Sequence, residues 1–189
     1  EATASFLPGF EVPRSFATLY RLLRQARQEG HVKGLVVTID GAGFGFAQAQ
    51  EVRRQLLALR EAGKSVDCYL ETIGEGRNGS LDYYLASACQ TISLSPVGEV
   101  NLLGLYADSF FLRRALDKLR IDPQFRHAGQ YKSASELFTE TAHSAPAREA
   151  LGAFLDSLYE QLLNDIGAAR DKAAALLRQL FDRAPLEAA

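Results

Sequence analysis

Residues 34–45, Gly-Leu-Val-Val-Thr-Ile-Asp-Gly-Ala-Gly-Phe-Gly, indicate the fold class of this chain. The first half, residues 34–39, is a short and continuously apolar run rich in β-branched side chains. Such a run predicts a strand buried on both faces of a mostly parallel sheet. The second half is a glycine-rich turn, and residues 47–62 after it have the apolar spacing of a helix. Strand, tight turn and helix in this order predict an α/β fold.

The alternation of strands and helices continues on both sides of this stretch. Before this stretch, Ser15 is placed to cap a helix that ends at Gly30. After the helix at 47–62, residues 65–71 are predicted to form the next strand. The remaining predicted elements are a helix at 81–88, a strand at 91–94, an extended segment at 99–106, a helix at 108–119 capped by Asp108, a short strand at 122–128, a long helix opened by Pro146 and a short helix at 171–183. Together they predict a mostly parallel sheet flanked by helices.

The length and composition fit one globular domain of ordinary size. The chain has 189 residues, of which 47% are hydrophobic and 23% charged. We expect an irregular lead-in at 1–14, the domain at 15–183, and a linker or C-terminal tail at 184–189. A net charge of −2 and a pI near 6.0 give no electrostatic footprint for nucleic acid. The chain has no run of 18 apolar residues, and Glu1 in place of Met suggests a processed or excised piece.

The two cysteines and three histidines leave several alternatives open. Cys68 and Cys89 could pair in an oxidising compartment, but we expect two small core thiols, and the sequence alone does not decide between the two. The histidines are scattered and show no metal-ligand spacing, so we expect no metal and no cofactor. A Ser-His-Asp triad with His127 or His143 is conceivable, but the spacing favours neither.

Residues 129–134, Gly-Gln-Tyr-Lys-Ser-Ala, contain a lysine with little structural reason to be there. Lys132 follows the predicted strand at 122–128 and Gly129, and small residues come after it. A lysine held in a close pocket loses hydration, so its pKa falls and it can act as a general base near neutral pH. The alternative is a solvated loop lysine.

Several segments in register form one extended pattern around this lysine. They are Tyr-Lys-Ser-Ala at 131–134, Phe-Thr at 138–139, Ser-Ala-Pro-Ala-Arg-Glu-Ala at 144–150, Asp-Tyr-Tyr-Leu-Ala-Ser-Ala at 82–88, and the segments 92–100, 104–105 and 115–119. This pattern resembles the signal peptide peptidase A (protease IV) family over roughly residues 15–184. The resemblance implies a crotonase-like α/β domain and assigns Lys132 the role of general base in a Ser/Lys dyad.

The resemblance also implies a nucleophile. Ser80 falls where the catalytic domain of that family places its serine, and it precedes Lys132 by 52 positions, a separation close to the family's. The family's Ala-Ser-Gly-Gly motif is altered here, because Leu81 and Asp82 replace the two glycines. The alternative for Ser80 is a helix cap, a common role of serine.

Gly41 and Gly43 belong to the glycine-rich turn, which lies beside the active site in the family that this chain resembles. The resemblance implies that their backbone amides help to bind an oxyanion at a helix N-terminus. The catalytic version reads Ser-Pro-Gly-Gly, whereas residues 40–43 read Asp-Gly-Ala-Gly. A dinucleotide-binding turn is the alternative, but Phe46 occupies its third required glycine position.

Val100, Leu102, Leu103 and Gly104 lie in the predicted extended segment 99–106. In the family that the chain resembles, this segment flanks a substrate groove and pairs with an extended peptide. Its apolar side chains suit a substrate such as the apolar part of a signal peptide. They suit a plain buried strand equally well.

The function that the resemblance implies is a serine endopeptidase that degrades cleaved signal peptides or other membrane-associated peptides. We expect a homo-oligomer, because the apolar stripe from Leu151 to Ile166 offers a surface for packing, and a second homologous domain in the parent chain. The implied location is the bacterial inner membrane, with the catalytic domain outside the cytoplasm. The alternatives are a lysine-donating or non-catalytic half of a two-domain peptidase, and a crotonase relative that handles acyl-CoA.

Overall fold

The computed structural model describes residues 15–41, 43 and 45–184, and the backbone of residues 186–187. These residues form two compact units. The first contains the chain up to Gly104 and from Leu162 onward, and the second is Leu105–Gln161. The expected lead-in, residues 1–14, lies outside the described residues.

A parallel three-stranded sheet forms the centre of the first unit. Its strands are β1 (Gly34–Thr38), β2 (Ser65–Leu70) and β3 (Thr91–Leu94), in the order β1-β2-β3. Helices separate these strands along the chain, which confirms the α/β prediction.

The expectation that the first strand is buried on both faces is wrong. β1 lies at the edge of the sheet that the described residues form, and Val36 in its middle is 78% exposed. Only Ile39, just past the end of the strand, is buried. A continuous apolar run favours a strand, but the number of layers that cover it depends on the packing of distant elements.

Four helices of the first unit follow their predicted positions closely. They are α1 (Phe16–Gln28), α2 (Phe46–Glu61), α3 (Ser80–Ala86) and α7 (Ala174–Asp182). Ser15 caps α1 as expected, because its side chain accepts a hydrogen bond from the amide of Thr18. The largest apolar side chains that are less than 2% exposed are Leu56, Leu59, Val66, Leu70, Tyr84, Leu162, Leu163 and Ile166.

A buried arginine organises the contact between α2 and α3. Arg53 donates to the backbone oxygen of Tyr84 at 3.1 Å, to the Ser87 hydroxyl at 2.8 Å and to the backbone oxygen of Asp165, and it lies over the Tyr84 ring. The Tyr84 hydroxyl donates to the Asp165 carboxylate at 2.6 Å. Burial lowers the pKa of Arg53 and raises that of Tyr84. The polar groups of this core are thus satisfied by one another.

Cys68 and Cys89 form a disulfide, so the expectation of two core thiols is wrong. Cys68 lies in β2 and Cys89 lies between α3 and β3, with their Cα atoms 5.8 Å apart. Both residues are buried. The bridge therefore fixes the turn between α3 and β3 to the central strand of the sheet.

The second unit is mostly helical and differs more from prediction. It contains α4 (Arg113–Lys118), a 3₁₀ turn at Ser133–Ser135, α5 (Glu136–Thr139) and the first part of α6 (Ala145–Arg170). Asp108 does not cap α4, because the helix begins five residues later. Residues 122–128 form no strand in the described structure. They have no neighbouring strand to pair with, so an extended sequence pattern is not enough.

Apolar side chains of the second unit are largely exposed. Among its described residues, Ala147 alone is buried. Large hydrophobic side chains with at least 36% exposure are Tyr106, Phe110, Leu119, Ile121, Phe125, Tyr131, Phe138 and Phe154.

Within the part of the chain that the structure describes, none of the helices has the length and hydropathy of a membrane span.

Two short strands complete the first unit. β4 (Glu99–Val100) pairs antiparallel with β5 (Leu186–Glu187). β5 falls within residues 184–189, which the sequence suggests as a linker or tail. The extended segment predicted for 99–106 is a regular strand only at its first two residues.

Candidate active site

Ser80, the expected nucleophile, is buried in the first unit and both sides of its hydroxyl are engaged. It is 1% exposed. Its Oγ lies 2.6 Å from Asn78 Oδ1, which has no proton to give, so Ser80 is the donor. The same Oγ accepts from the backbone amide of Gly104 at 2.9 Å. The hydroxyl proton therefore points at Asn78.

The alternative role of Ser80 as the N-cap of a helix is wrong, because another residue occupies the N-cap position. The N-cap of α3 is Gly79, and Ser80 is the first helical residue. Asn78 Oδ1 accepts from the Ser80 amide at 3.0 Å, so the side chain of Asn78 closes the turn that enters the helix. The hydroxyl of Ser80 instead serves a tertiary contact with Gly104.

Asn78 is a residue that sequence reasoning did not single out. Besides its two contacts with Ser80, its Nδ2 donates to the backbone oxygen of Gly104 at 2.7 Å. Asn78 and Ser80 thus hold Gly104 from both its amide and its carbonyl. We call these three residues the Asn78 clasp. The one available signal was Asn78 before Gly79 at the start of a helix, which indicates a turn and not its distant partner.

The tight approach of the backbone explains the glycines in this turn. A Cβ at Gly79 would collide with the backbone of Ile73, and Gly74 has a φ of +80°. The Gly79 amide donates to the backbone oxygen of Asn101 at 2.8 Å. A side chain at Gly79 would push Gly79 and Ile73 apart and distort the turn that carries Asn78.

Asp82 and Arg77 occupy the space beside the glycine-rich turn. Asp82 is 1% exposed and pairs with Arg77 at 2.7 Å. A methyl group at Gly41 would lie 3.1 Å from a guanidinium nitrogen of Arg77. The guanidinium group therefore lies between the turn and α3. In the motif that the chain resembles, a glycine without any side chain stands at the position of Asp82.

Gly41 and Gly43, the expected oxyanion donors, both have left-handed backbone conformations. Their φ angles are +76° and +60°. A positive φ is strained for residues with a Cβ, which explains the glycines. Gly43 is exposed and Gly41 is partly covered. The turn leads into α2, whose N-cap is Gly45.

The expected substrate segment is held by the protein itself along much of its backbone. Val100 lies in β4 and forms a parallel bridge with Ile73. Gly104 belongs to the Asn78 clasp. Leu102 is 4% exposed, whereas the side chain of Leu103 is 56% exposed. Of these side chains, Leu103 is therefore the one best placed to meet a ligand.

Lys132 lies in the second unit and is exposed. It precedes the 3₁₀ turn Ser133–Ser135, and its amide donates to the Gly129 oxygen at 3.3 Å. Gly129 has a φ of +90°, so this turn needs a glycine. The expected position just after a strand is wrong, since residues 122–128 are irregular. Lys132 is therefore not enclosed in a pocket by the residues that the structure describes.

Metal binding has no evident donor set in the described residues. No group of three His, Cys, Asp or Glu side chains among them is arranged to hold an ion.

The comparisons with known proteins identify the family. A sequence model of peptidase family S49 matches residues 58–188, more than half of the chain. This chain belongs to peptidase family S49. It is 30% identical to Protease 4 of Salmonella typhi over 82% of this chain and 25% of that protein. It is 28% identical to Protease 4 of Haemophilus influenzae over 88% of this chain and 27% of that protein.

A plant relative gives a similar match. Serine protease SPPA, chloroplastic, of Arabidopsis thaliana is 28% identical over 78% of this chain and 21% of that protein. The chain thus spans about a quarter of the length of the curated relatives it matches. Ser80 and Lys132 both lie inside the S49 match, whereas Gly41 and Gly43 precede it.

Proposed function

We propose that this chain is the lysine-bearing half of a serine endopeptidase of the signal peptide peptidase A type, with a crotonase-like fold. In this proposal, Lys132 takes the proton of a serine hydroxyl that another domain or another subunit supplies. The observation that carries it is the state of Ser80. The Ser80 hydroxyl is buried, donates a hydrogen bond to Asn78 and accepts one from the Gly104 amide. Both hydrogen bonds are structural contacts, so the hydroxyl stabilises the fold.

The neighbours of Ser80 support the same choice. A serine nucleophile needs space in front of its oxygen for the substrate carbonyl. In this chain Asp82 of α3 forms an ion pair with Arg77, and the guanidinium group of Arg77 lies close to Gly41. Leu81 and Asp82 thus bring side chains to the two positions where the family motif has glycine.

The proposed chemistry is acyl transfer to serine. Neutral Lys132 accepts the hydroxyl proton, and the alkoxide attacks the carbonyl carbon of the peptide bond. Backbone amides stabilise the oxyanion, and Gly41 and Gly43 are the candidates in this chain. Water then hydrolyses the acyl-enzyme and restores the serine.

The exposure of Lys132 bears on when the enzyme is active. Lys132 is exposed to water, and closing an active site expels water and strengthens the electrostatic interactions inside it. A serine-bearing surface that covers Lys132 would expel this water. We therefore expect peptidase activity to appear only in the assembled protein.

The substrates and partners of the enzyme are part of the proposal. Apolar peptides such as signal peptides suit the exposed Leu103 beside Gly104. The exposed apolar side chains of the second unit support a homo-oligomer, and we expect a second homologous domain. The Cys68–Cys89 disulfide supports a location outside the cytoplasm, at the inner membrane, because such bonds persist in oxidising compartments. All three named relatives are proteases, which favours peptides over acyl-CoA thioesters.

The test is the substitution Lys132→Ala in the full-length protein, with peptide hydrolysis as the readout. General bases contribute about 10²- to 10⁴-fold to rates, so we expect activity to fall at least about 100-fold. Lys118→Ala is the matched control, because Lys118 is also an exposed lysine of the second unit. Wild-type turnover by Lys132→Ala would rule out the general-base role.

Assembly has its own test. Light scattering of the full-length protein at micromolar concentration should give a mass of more than one chain. A strictly monomeric mass together with full peptidase activity would refute the expected homo-oligomer.

A further inference from the structure

A second arrangement of a hydroxyl, an imidazole and a carboxylate lies within the second unit, in residues that the Lys132 chemistry does not use. His143 Nε2 lies 2.7 Å from Ser109 Oγ. His143 Nδ1 lies 3.4 Å from a carboxylate oxygen of Glu136. This is the order of groups by which hydrolases prepare a serine for nucleophilic attack.

The carboxylate of this arrangement is itself held in place. Glu136 accepts hydrogen bonds from the Ser144 hydroxyl at 2.5 Å and from the Ser144 amide at 3.1 Å. These bonds, with that of His143, lower the pKa of Glu136. An ionised carboxylate beside Nδ1 favours the tautomer with the proton on that nitrogen. The lone pair of Nε2 then faces the Ser109 hydroxyl.

The imidazole is fixed while the hydroxyl stays accessible. The His143 side chain is 21% exposed and makes a T-shaped contact with the Phe111 ring, with ring centroids 4.9 Å apart. Arg148 donates to the His143 backbone oxygen at 2.6 Å. Ser109 is exposed, and the adjacent Phe110 is 79% exposed. A contact that served only to hold the fold would not need an accessible hydroxyl.

We propose that Ser109, His143 and Glu136 form an acylation site for small activated esters and related phosphoryl electrophiles. Ser109 Oγ forms a bond to the carbonyl carbon of the ester, and its proton passes to His143 Nε2. The bond from this carbon to the leaving alkoxide then breaks, and the proton leaves with the alcohol. Glu136 orients the imidazole and stabilises its protonated form. The exposed aromatic ring of Phe110 suits esters with an apolar group.

The test uses an alkyl fluorophosphonate on the full-length protein, with peptide mapping to identify the labelled residue. In this reaction Ser109 Oγ binds phosphorus, fluoride leaves, and the proton passes through His143 to solvent. We expect label on Ser109 and none on that peptide in Ser109→Ala. His143→Gln should label Ser109 about 100-fold more slowly or worse, since a general base contributes about 10²- to 10⁴-fold. Ser157, also an exposed serine of this unit, is the matched control and should stay unlabelled.

Two outcomes would overturn the proposal. The first is absence of label on Ser109, and the second is equal labelling of Ser109 in the wild type and in His143→Gln.

Discussion

Replacement of Ser80 by alanine separates the two roles that a serine at this position can have. The Ser80 hydroxyl is 1% exposed and takes part in two hydrogen bonds, at 2.6 and 2.9 Å. Ser80→Ala leaves the Gly104 amide without this acceptor and Asn78 without this donor. A buried group that loses its partner costs about 1–3 kcal/mol. We therefore expect the free energy of unfolding to fall by about 2 kcal/mol.

Urea unfolding followed by circular dichroism measures this loss. With a slope of about 2 kcal/mol per molar urea, the midpoint should move down by roughly 1 M. Ser93→Ala is the matched control, because Ser93 is an exposed serine of the same unit. A surface substitution of this kind usually changes stability by less than about 0.5 kcal/mol.

The peptidase activity of Ser80→Ala decides whether Ser80 is the nucleophile or a structural contact. If Ser80 is part of the Asn78 clasp and not the nucleophile, Ser80→Ala keeps most of its activity below its unfolding transition. A variant of unchanged stability that loses activity by about 100-fold or more would refute the reasoning and identify Ser80 as the nucleophile. Asn78→Ala breaks three hydrogen bonds, so it should destabilise the protein by about 3 kcal/mol.

Three further predictions concern other contacts. Replacing Cys68 and Cys89 by alanine should lower the free energy of unfolding by roughly 3 kcal/mol, since the bridge closes a loop of 21 residues; an unchanged urea midpoint would count against the disulfide. Arg53→Ala should lower the free energy of unfolding by about 3 kcal/mol or more in the same urea assay, because it removes the buried hydrogen bonds of Arg53. Arg54→Ala, at an exposed neighbouring position, should lower it by less than about 1 kcal/mol. Equal losses of stability in the two variants would contradict the role of the buried network. Hydrogen bonds from Ser144 lower the pKa of Glu136, so the Glu136 carboxylate stabilises the fold above its ordinary pKa of 4.5, and this contribution is lost as the pH falls through the lowered pKa. Acid unfolding of Glu136→Gln should therefore depend less on pH than that of the wild type. An identical acid transition in the two proteins would exclude the effect.

Local patterns in the sequence predicted much of the first unit. The strands at β2 and β3 and the helices α1, α2 and α6 lie within a few residues of their expected positions. Each of these elements follows from the spacing of apolar side chains and from turn residues at its ends, which act between near neighbours in the chain. The prediction failed at residues 122–128, where an extended pattern has no strand to pair with.

The candidate site was predicted only in part. The sequence pointed to Ser80, Lys132, Gly41 and Gly43, and it correctly gave the S49 family through the resemblance of several segments in register. It did not indicate that the Ser80 hydroxyl is bonded to Asn78 and Gly104. Gly104 lies 24 residues from Ser80, and no local pattern records such a partner.

What the sequence by itself determined is the α/β alternation, the positions of most helices and the family, because these depend on periodicity and on motifs that are contiguous in the chain. Only the tertiary structure decided which polar groups meet. It joined Cys68 to Cys89, and it brought His143 to Ser109 across 34 positions. The physical reason is that hydrogen bonds and disulfides act over a few ångströms in space, whereas their partners are chosen by the packing of whole elements.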